Sequence, residues 1–118
     1  MRTLLVVGRD EKALAGQAEF LQRYRFRVMT ANPSQAEELL FSSDFGFDGL
    51  LLKGTSKHKE LAALLGLVRK FRLPLKTILQ VTDSTSKENT ASALTADLVI
   101  SGEASDSVIA EQLAALFR

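Results

Sequence analysis

The chain has no cysteine and no tryptophan, one histidine, one tyrosine and two prolines in 118 residues. Without cysteine there is no disulfide framework, no thiolate zinc site and no thiol nucleophile. A reducing compartment suits such a chain, so the cytoplasm is its expected location. The lone His58 stands between Lys57 and Lys59, which leaves no histidine cluster for a metal or a proton relay. Its expected place is an exposed loop or helix start. No apolar run approaches the ~20 residues needed to cross a bilayer. Arg9, Asp10 and Glu11 follow the opening apolar stretch too soon for a signal peptide. Neither sign of charge dominates: 15 Lys and Arg against 14 Asp and Glu leave a net charge of +1. No whole-molecule field therefore draws the chain to nucleic acid or membrane. The basic groups Arg23-Arg25-Arg27 and Arg69-Lys70-Arg72 are balanced by Glu37, Glu38, Asp44 and Asp48, and a solvated edge is their expected role.

What is present is an alternation of short apolar runs with helical periods. Leu4–Val7, closed by Gly8, reads as a central strand. Leu14, Ala18 and Leu21 fall at i, i+4 and i+7, one face of a helix running from Glu11 to Tyr24. Arg25-Phe26-Arg27-Val28-Met29 alternates charged and apolar residues, as a strand wet on one side does. Pro33 opens a second helix carrying Ala36, Leu39 and Leu40. Leu50–Leu52 is the third strand, with Phe45 and Phe47 before it as core plugs. Leu61, Leu64, Leu65, Val68 and Phe71 line a third helix that stops before Pro74. Lys76–Val81 and Leu98–Ile100 complete the strands, and Ile109, Leu113 and Leu116 mark a closing helix capped by Ser105. Ser84–Ala93, the segment for the remaining helix, is polar and poorly patterned.

Five strands alternating with helices require a parallel sheet covered on both faces. Right-handed crossovers leave few topologies for so short a chain. The expectation is one α/β domain over residues 1–118: a flavodoxin-like (βα)5 three-layer sandwich whose five-stranded parallel sheet has the order 2-1-3-4-5, with the alternating second strand at an edge. Cofactor signals are missing. Gly8-Arg9-Asp10 lacks the further glycines of a phosphate loop, and the Ser/Thr-rich loop and aromatic walls of an FMN site do not show.

The third strand raises the functional question, because its run of leucines in Phe47-Asp48-Gly49-Leu50-Leu51-Leu52-Lys53-Gly54 ends on a lysine at the mouth of the fold. Four segments in order bear on it. Arg25–Ala31 resembles Gly-Tyr-x-Val-x-x-Ala, Asp48–Leu52 resembles Asp-Leu-Val-Leu-Leu, Ile78–Thr82 ends a strand in a hydroxyl, and Ala96–Ser101 resembles Gly-Ala-Asp-x-Tyr-Leu-x. Together these resemble the receiver domain of the two-component response regulators, nearly end to end. The resemblance implies a signalling domain of a phosphorelay with no enzymatic activity of its own. It also implies a pocket with two acidic residues holding Mg²⁺ after strand one, an acceptor Asp ending strand three, a hydroxyl after strand four and a lysine after strand five.

Position by position, the pocket departs from that pattern. Gly8 and Arg9 fall where the acidic pair belongs, with Asp10 one residue beyond. Lys53 takes the acceptor position, Thr82 keeps the hydroxyl, Gly102 replaces the lysine, and Val99 replaces the strand-five aromatic. An amine cannot form the acyl phosphate on which the family's switch depends, and Arg9 with Lys53 would repel Mg²⁺. The expectation is a pseudo-receiver: a phosphorylation-independent signalling and protein-interaction domain with no metal and no cofactor. Its partner is a protein, and it is a monomer or weak homodimer. The alternative is a regulatory domain that binds a small anion through Arg9 and Lys53 in the crevice at the strand ends. A desolvated Lys53 could act as a Schiff-base nucleophile, but nothing near it in sequence supports that.

Two further expectations are specific. The Lys53 ammonium should reach Asp10 as an ion pair, and also Asp83 after strand four. The partner surface should carry Lys87, Glu88, Ala91, Leu94 and Val99, on the face shared by the weak helix, strand five and the closing helix. A Thr85…Glu88 capping box would start that helix. Gln17 and Gln22, on the first helix, serve as the contrasting surface.

Overall fold

The structure is a computed structural model that describes residues 2–41, 46–54, 59–81, 96–101 and 104–117. The strands are β1 (Arg2–Val7), β2 (Phe26–Ala31), β3 (Gly49–Gly54), β4 (Lys76–Val81) and β5 (Leu98–Ser101). The helices are α1 (Glu11–Gln22), α2 (Pro33–Leu40), α3 (Lys59–Lys70) and α4 (Asp106–Leu116). All strand pairs are parallel, in the order β2-β1-β3-β4-β5, as the alternation of elements requires. Thr82, Asp83, the whole 84–94 segment with its capping box, Gly102, His58 and Phe45 lie outside the described residues.

Side chains alternate across the sheet and divide the core in two. Leu5, Val7, Leu50, Leu52 and Leu79 face Ala36 and Leu40 of α2 and Leu64, Leu65 and Val68 of α3. Leu4, Val6, Leu51, Ile78 and Ile100 face Leu14 and Leu21 of α1 and Ile109, Ala110 and Leu113 of α4. Leu50, Leu51 and Leu52 are all 0% exposed, because a central parallel strand is covered on both faces. Each such leucine contributes about 1.5–3 kcal/mol of burial free energy. The edge strand β2 instead exposes Arg27 and Thr30 while burying Phe26 and Ala31.

Local chemistry sets the ends of the helices. Asp10 caps α1, and Ser105 caps α4 through the Val108 amide. Asn32 and Gln35 form a reciprocal capping box with Pro33 in the first turn of α2. At the far end of α3 the chain turns through Arg72, whose φ of 50° is left-handed. The helix therefore stops at Lys70. Phe71, expected on its buried stripe, is instead 52% exposed, because it stands past the last helical residue.

Two aspartates perform the same task at the amino ends of the strands. The Asp48 carboxylate accepts from the Thr3 amide (2.8 Å) while its own amide donates to the Thr3 carbonyl (2.8 Å). Asp97 repeats the arrangement with Thr77, at 2.8 and 2.9 Å. Each locks the start of one strand to its neighbour. Between them the chain end folds back. Phe117 packs edge-on to Phe26, with ring centroids 6.1 Å apart, and its carbonyl accepts from the Arg2 guanidinium. Gly49 makes room for it: a Cβ there would lie 2.6 Å from Phe117 Cζ and 2.7 Å from Leu4 Cδ2.

Gly49→Ala should consequently destabilise the protein by about 1–3 kcal/mol through overpacking. Leu4 is fully buried and has little room to move, so this outweighs the ~0.4–1 kcal/mol that loss of glycine freedom in the unfolded chain would return. Urea denaturation checks it, and Phe117→Leu in the same background should recover part of the loss. An unchanged midpoint for Gly49→Ala would show that the two side chains move aside freely.

Candidate functional site

The carboxyl ends of the parallel strands form the mouth where the sequence locates its degenerate pocket. β1 runs into Gly8, whose amide donates to the Ala31 carbonyl of β2 (3.2 Å). A Cβ on Gly8 would stand 3.2 Å from the Lys53 carbonyl and 3.1 Å from Leu14 Cδ2. The absence of a side chain thus lets the turn into α1 pass tightly against the end of β3. Gly8 and the Lys53 backbone thus lie side by side.

Asp10 is not Lys53's partner, and the expected ion pair is absent. Asp10 Oδ1 accepts from the amides of Lys12 (3.1 Å) and Ala13 (3.3 Å), so its carboxylate is spent on the start of α1. Lys53 turns the other way. In strand alternation it shares a side with Leu51, the side that faces α1 and α4. Its Nζ donates to Gln17 Oε1 at 3.1 Å, and Gln17 Nε2 donates in turn to Gln80 Oε1 at 3.0 Å. Gln80 is the direct register partner of Lys53 across β3 and β4. The result is a polar chain from the strand end into the core, with Gln17 4% and Gln80 2% exposed.

This corrects the reading of Gln17 as part of an exposed contrasting surface. Its signal was present in the sequence: Gln17 lies three residues after Leu14 and four before Leu21, on the buried stripe of α1. Gln80 likewise interrupts the apolar run Ile78–Val81 of β4 at the position facing Lys53. Three long polar side chains on one face of the core had to find one another, since a buried amide without a partner costs about 1–3 kcal/mol. The bond from the ammonium is charge-assisted and therefore the strongest of the set.

Beside this chain a cleft of ≈ 540 Å³ opens between the starts of α1 and α2, lined in part by Gly8, Arg9, Glu11, Thr30, Asn32 and Gln35. Arg9 lines it, whereas Lys53 is bonded to Gln17 and does not line this cleft. Nor do the donors suit a divalent cation, which wants several free oxygens in octahedral array. Among the described residues no group of three potential metal ligands gathers, and the one carboxylate of the predicted pocket that is described, Asp10, caps a helix.

Lys53→Met should lower stability by about 1–2 kcal/mol, because the buried Gln17 carbonyl loses its donor. Asp10→Ala should cost about 1 kcal/mol through loss of the cap. Since the two share no hydrogen-bond partner, the double variant should be additive within ~0.5 kcal/mol. A larger coupling, measured by urea unfolding, would restore the ion pair that the geometry denies.

No protein-family model matches the chain, and no curated protein matches it. Solved structures do. A pilus assembly-related protein of Burkholderia pseudomallei is 25% identical, matched over 98% of this chain and 88% of that one, with a TM-score of 0.77. A pilus assembly protein of Burkholderia thailandensis is 24% identical over 98% and 97%, also at 0.77. A CheY-like response regulator receiver domain of Methanospirillum hungatei is 21% identical over 98% and 92%, at 0.83. Receiver domains of other response regulators recur among the matches, with TM-scores up to 0.84. With its sheet order, its layers and its mouth at the strand ends, the chain has the fold of the response-regulator receiver domains.

Proposed function

We propose that this receiver fold is a pseudo-receiver: a cytoplasmic signalling domain that works by binding a protein and without phosphorylation. The observation that carries the reading is the state of Lys53. At the end of β3, where the resemblance implies an acceptor aspartate, stands an amine whose ammonium is bonded to Gln17 and backed by Gln80. Phosphoryl transfer onto that position requires a carboxylate oxygen as nucleophile and a cation to offset the phosphoryl charge. Here the nucleophile is replaced by a positive group, and Arg9 adds a second positive residue near the mouth. The pocket's polar chemistry is directed inward, to hold one arrangement of β3, β4 and α1.

The small-anion alternative has less behind it. Amides at the starts of α1 and α2, which could bind an anion, already donate to Asp10 and Asn32. Arg9 shares its cleft with Glu11. The likeness to two pilus assembly proteins supports an assembly machine as one setting for the protein partner, by analogy of fold and modest identity.

Acetyl phosphate with Mg²⁺ should leave the intact mass unchanged. A stable increase of one phosphoryl group on any residue of the mouth would falsify the pseudo-receiver reading. Lys53→Asp alone should also stay unmodified, since Gly102 offers no cation in place of the family's lysine.

For the partner surface we propose the face that carries Lys87, Glu88, Ala91, Leu94 and Val99. Val99 supports it: in a sheet whose central strands are closed off, its side chain on the edge strand β5 is 44% exposed. Charge reversal at Lys87 and Glu88 should weaken capture of the native partner, read by calorimetry. Introducing a charge at exposed Gln22 should not. Equal effects from both would remove this face from consideration.

A further inference from the structure

The largest exposed aromatic surface among the described residues lies elsewhere, at the ends of α2 and α3. Phe41, the residue after α2, is 47% exposed, and Phe71, the residue after α3, is 52% exposed. Their rings meet edge to face, with centroids 5.2 Å apart and planes at 85°. Two large rings held against each other and still half in water form a patch rather than scattered exposure.

The charges around this patch have a definite order. One turn back from Phe41, on the same outward flank of α2, stand Glu37 and Glu38, both exposed. On the α3 side of the pair Lys70 holds its ammonium 5.5 Å from the centroid of Phe71. Arg69 and Arg72 line a different cleft, next to Thr77 and Asp97. Neither Glu37, Glu38 nor Lys70 takes part in an ion pair among the described residues. Among the described residues the patch is thus apolar at its centre, acidic towards α2 and basic towards α3.

An acidic partner would meet Lys70 but oppose Glu37 and Glu38, and a basic partner would do the reverse. A surface whose two rims carry opposite charge is complementary to itself under a two-fold rotation. We propose that Phe41 and Phe71 form the centre of an isologous contact between two copies of this chain, in which Lys70 of each copy meets Glu37 and Glu38 of the other. Roughly half of two rings, on the order of 200 Å² per copy, is available at the centre. That is well below the ~800 Å² per partner of a stable complex, so the contact is weak and reversible. It lies at the ends of α2 and α3, and neither Phe41 nor Phe71 belongs to the residues proposed for the partner face.

Sedimentation velocity of the whole chain between about 10 µM and 1 mM should show a concentration-dependent shift towards dimer. Phe71→Ser should weaken it by about tenfold or more. Lys70→Glu alone, and Glu37→Lys with Glu38→Lys, should each weaken self-association to a similar degree, because like charges then face each other across the axis. An equimolar mixture of these two variants should dimerise again, since each rim regains an opposite charge. That recovery cannot come from a variant that has merely lost its fold. A wild-type chain that remains monomeric at 1 mM, or a mixture that fails to recover, overturns the proposal.

Discussion

β3 is paired along both edges and covered on both faces, so Leu50, Leu51 and Leu52 have no contact with water. The strand cannot carry a polar group until its last turn towards the mouth, and there it carries Lys53. Pleat alternation leaves that side chain little choice: it must lean to the side of Leu51, against α1. Since α1 presents Gln17 and β4 presents Gln80 at the same level, the ammonium is received by an amide and the amide by a second amide. The rest of the mouth follows from this closure. Gly8 passes close because β3 ends there, and Asp10 is left free to cap its own helix.

The same closure separates scaffold from chemistry. A parallel sheet with helices on both faces presents its strand ends as the natural place for a ligand, and the fold keeps that place open between α1 and α2. The groups that would use it are engaged elsewhere: the helix amides with their caps, Lys53 with the core. A buried, satisfied polar chain favours one arrangement over others. Val99 on β5 and the Phe41–Phe71 pair past α2 and α3 are both exposed, the first aliphatic and the second aromatic with charged neighbours.

At the amino ends of the strands the physics is different and purely structural. Asp48 and Asp97 each tie the residue before a strand to a threonine of the neighbouring strand, and Phe117 lies across Gly49 to close the bottom of the sheet. These contacts join residues far apart in the chain and stabilise the register on which the mouth depends.

Much of this was legible in the chain itself. Leucine and valine runs bounded by glycine, the charged alternation of Arg25–Met29, and Pro33 and Ser105 at the starts of helical periods specify the elements, because they rest on local propensity and period. Order of the sheet followed from handed crossovers and one wet strand. The identity of the residue at the end of β3 was equally plain, since it needs only a count along a strand. What the tertiary structure alone decided was where long side chains go. Lys53 could reach Asp10 or Gln17 with equal ease on paper; the pleat sent it to Gln17, and the open helix start claimed Asp10. Phe71 fitted the apolar period of α3, yet Arg72 turns left-handed and leaves the ring outside against Phe41. A local pattern fixes which face a residue starts from, whereas the partner of a flexible side chain depends on what distant segments bring within its reach.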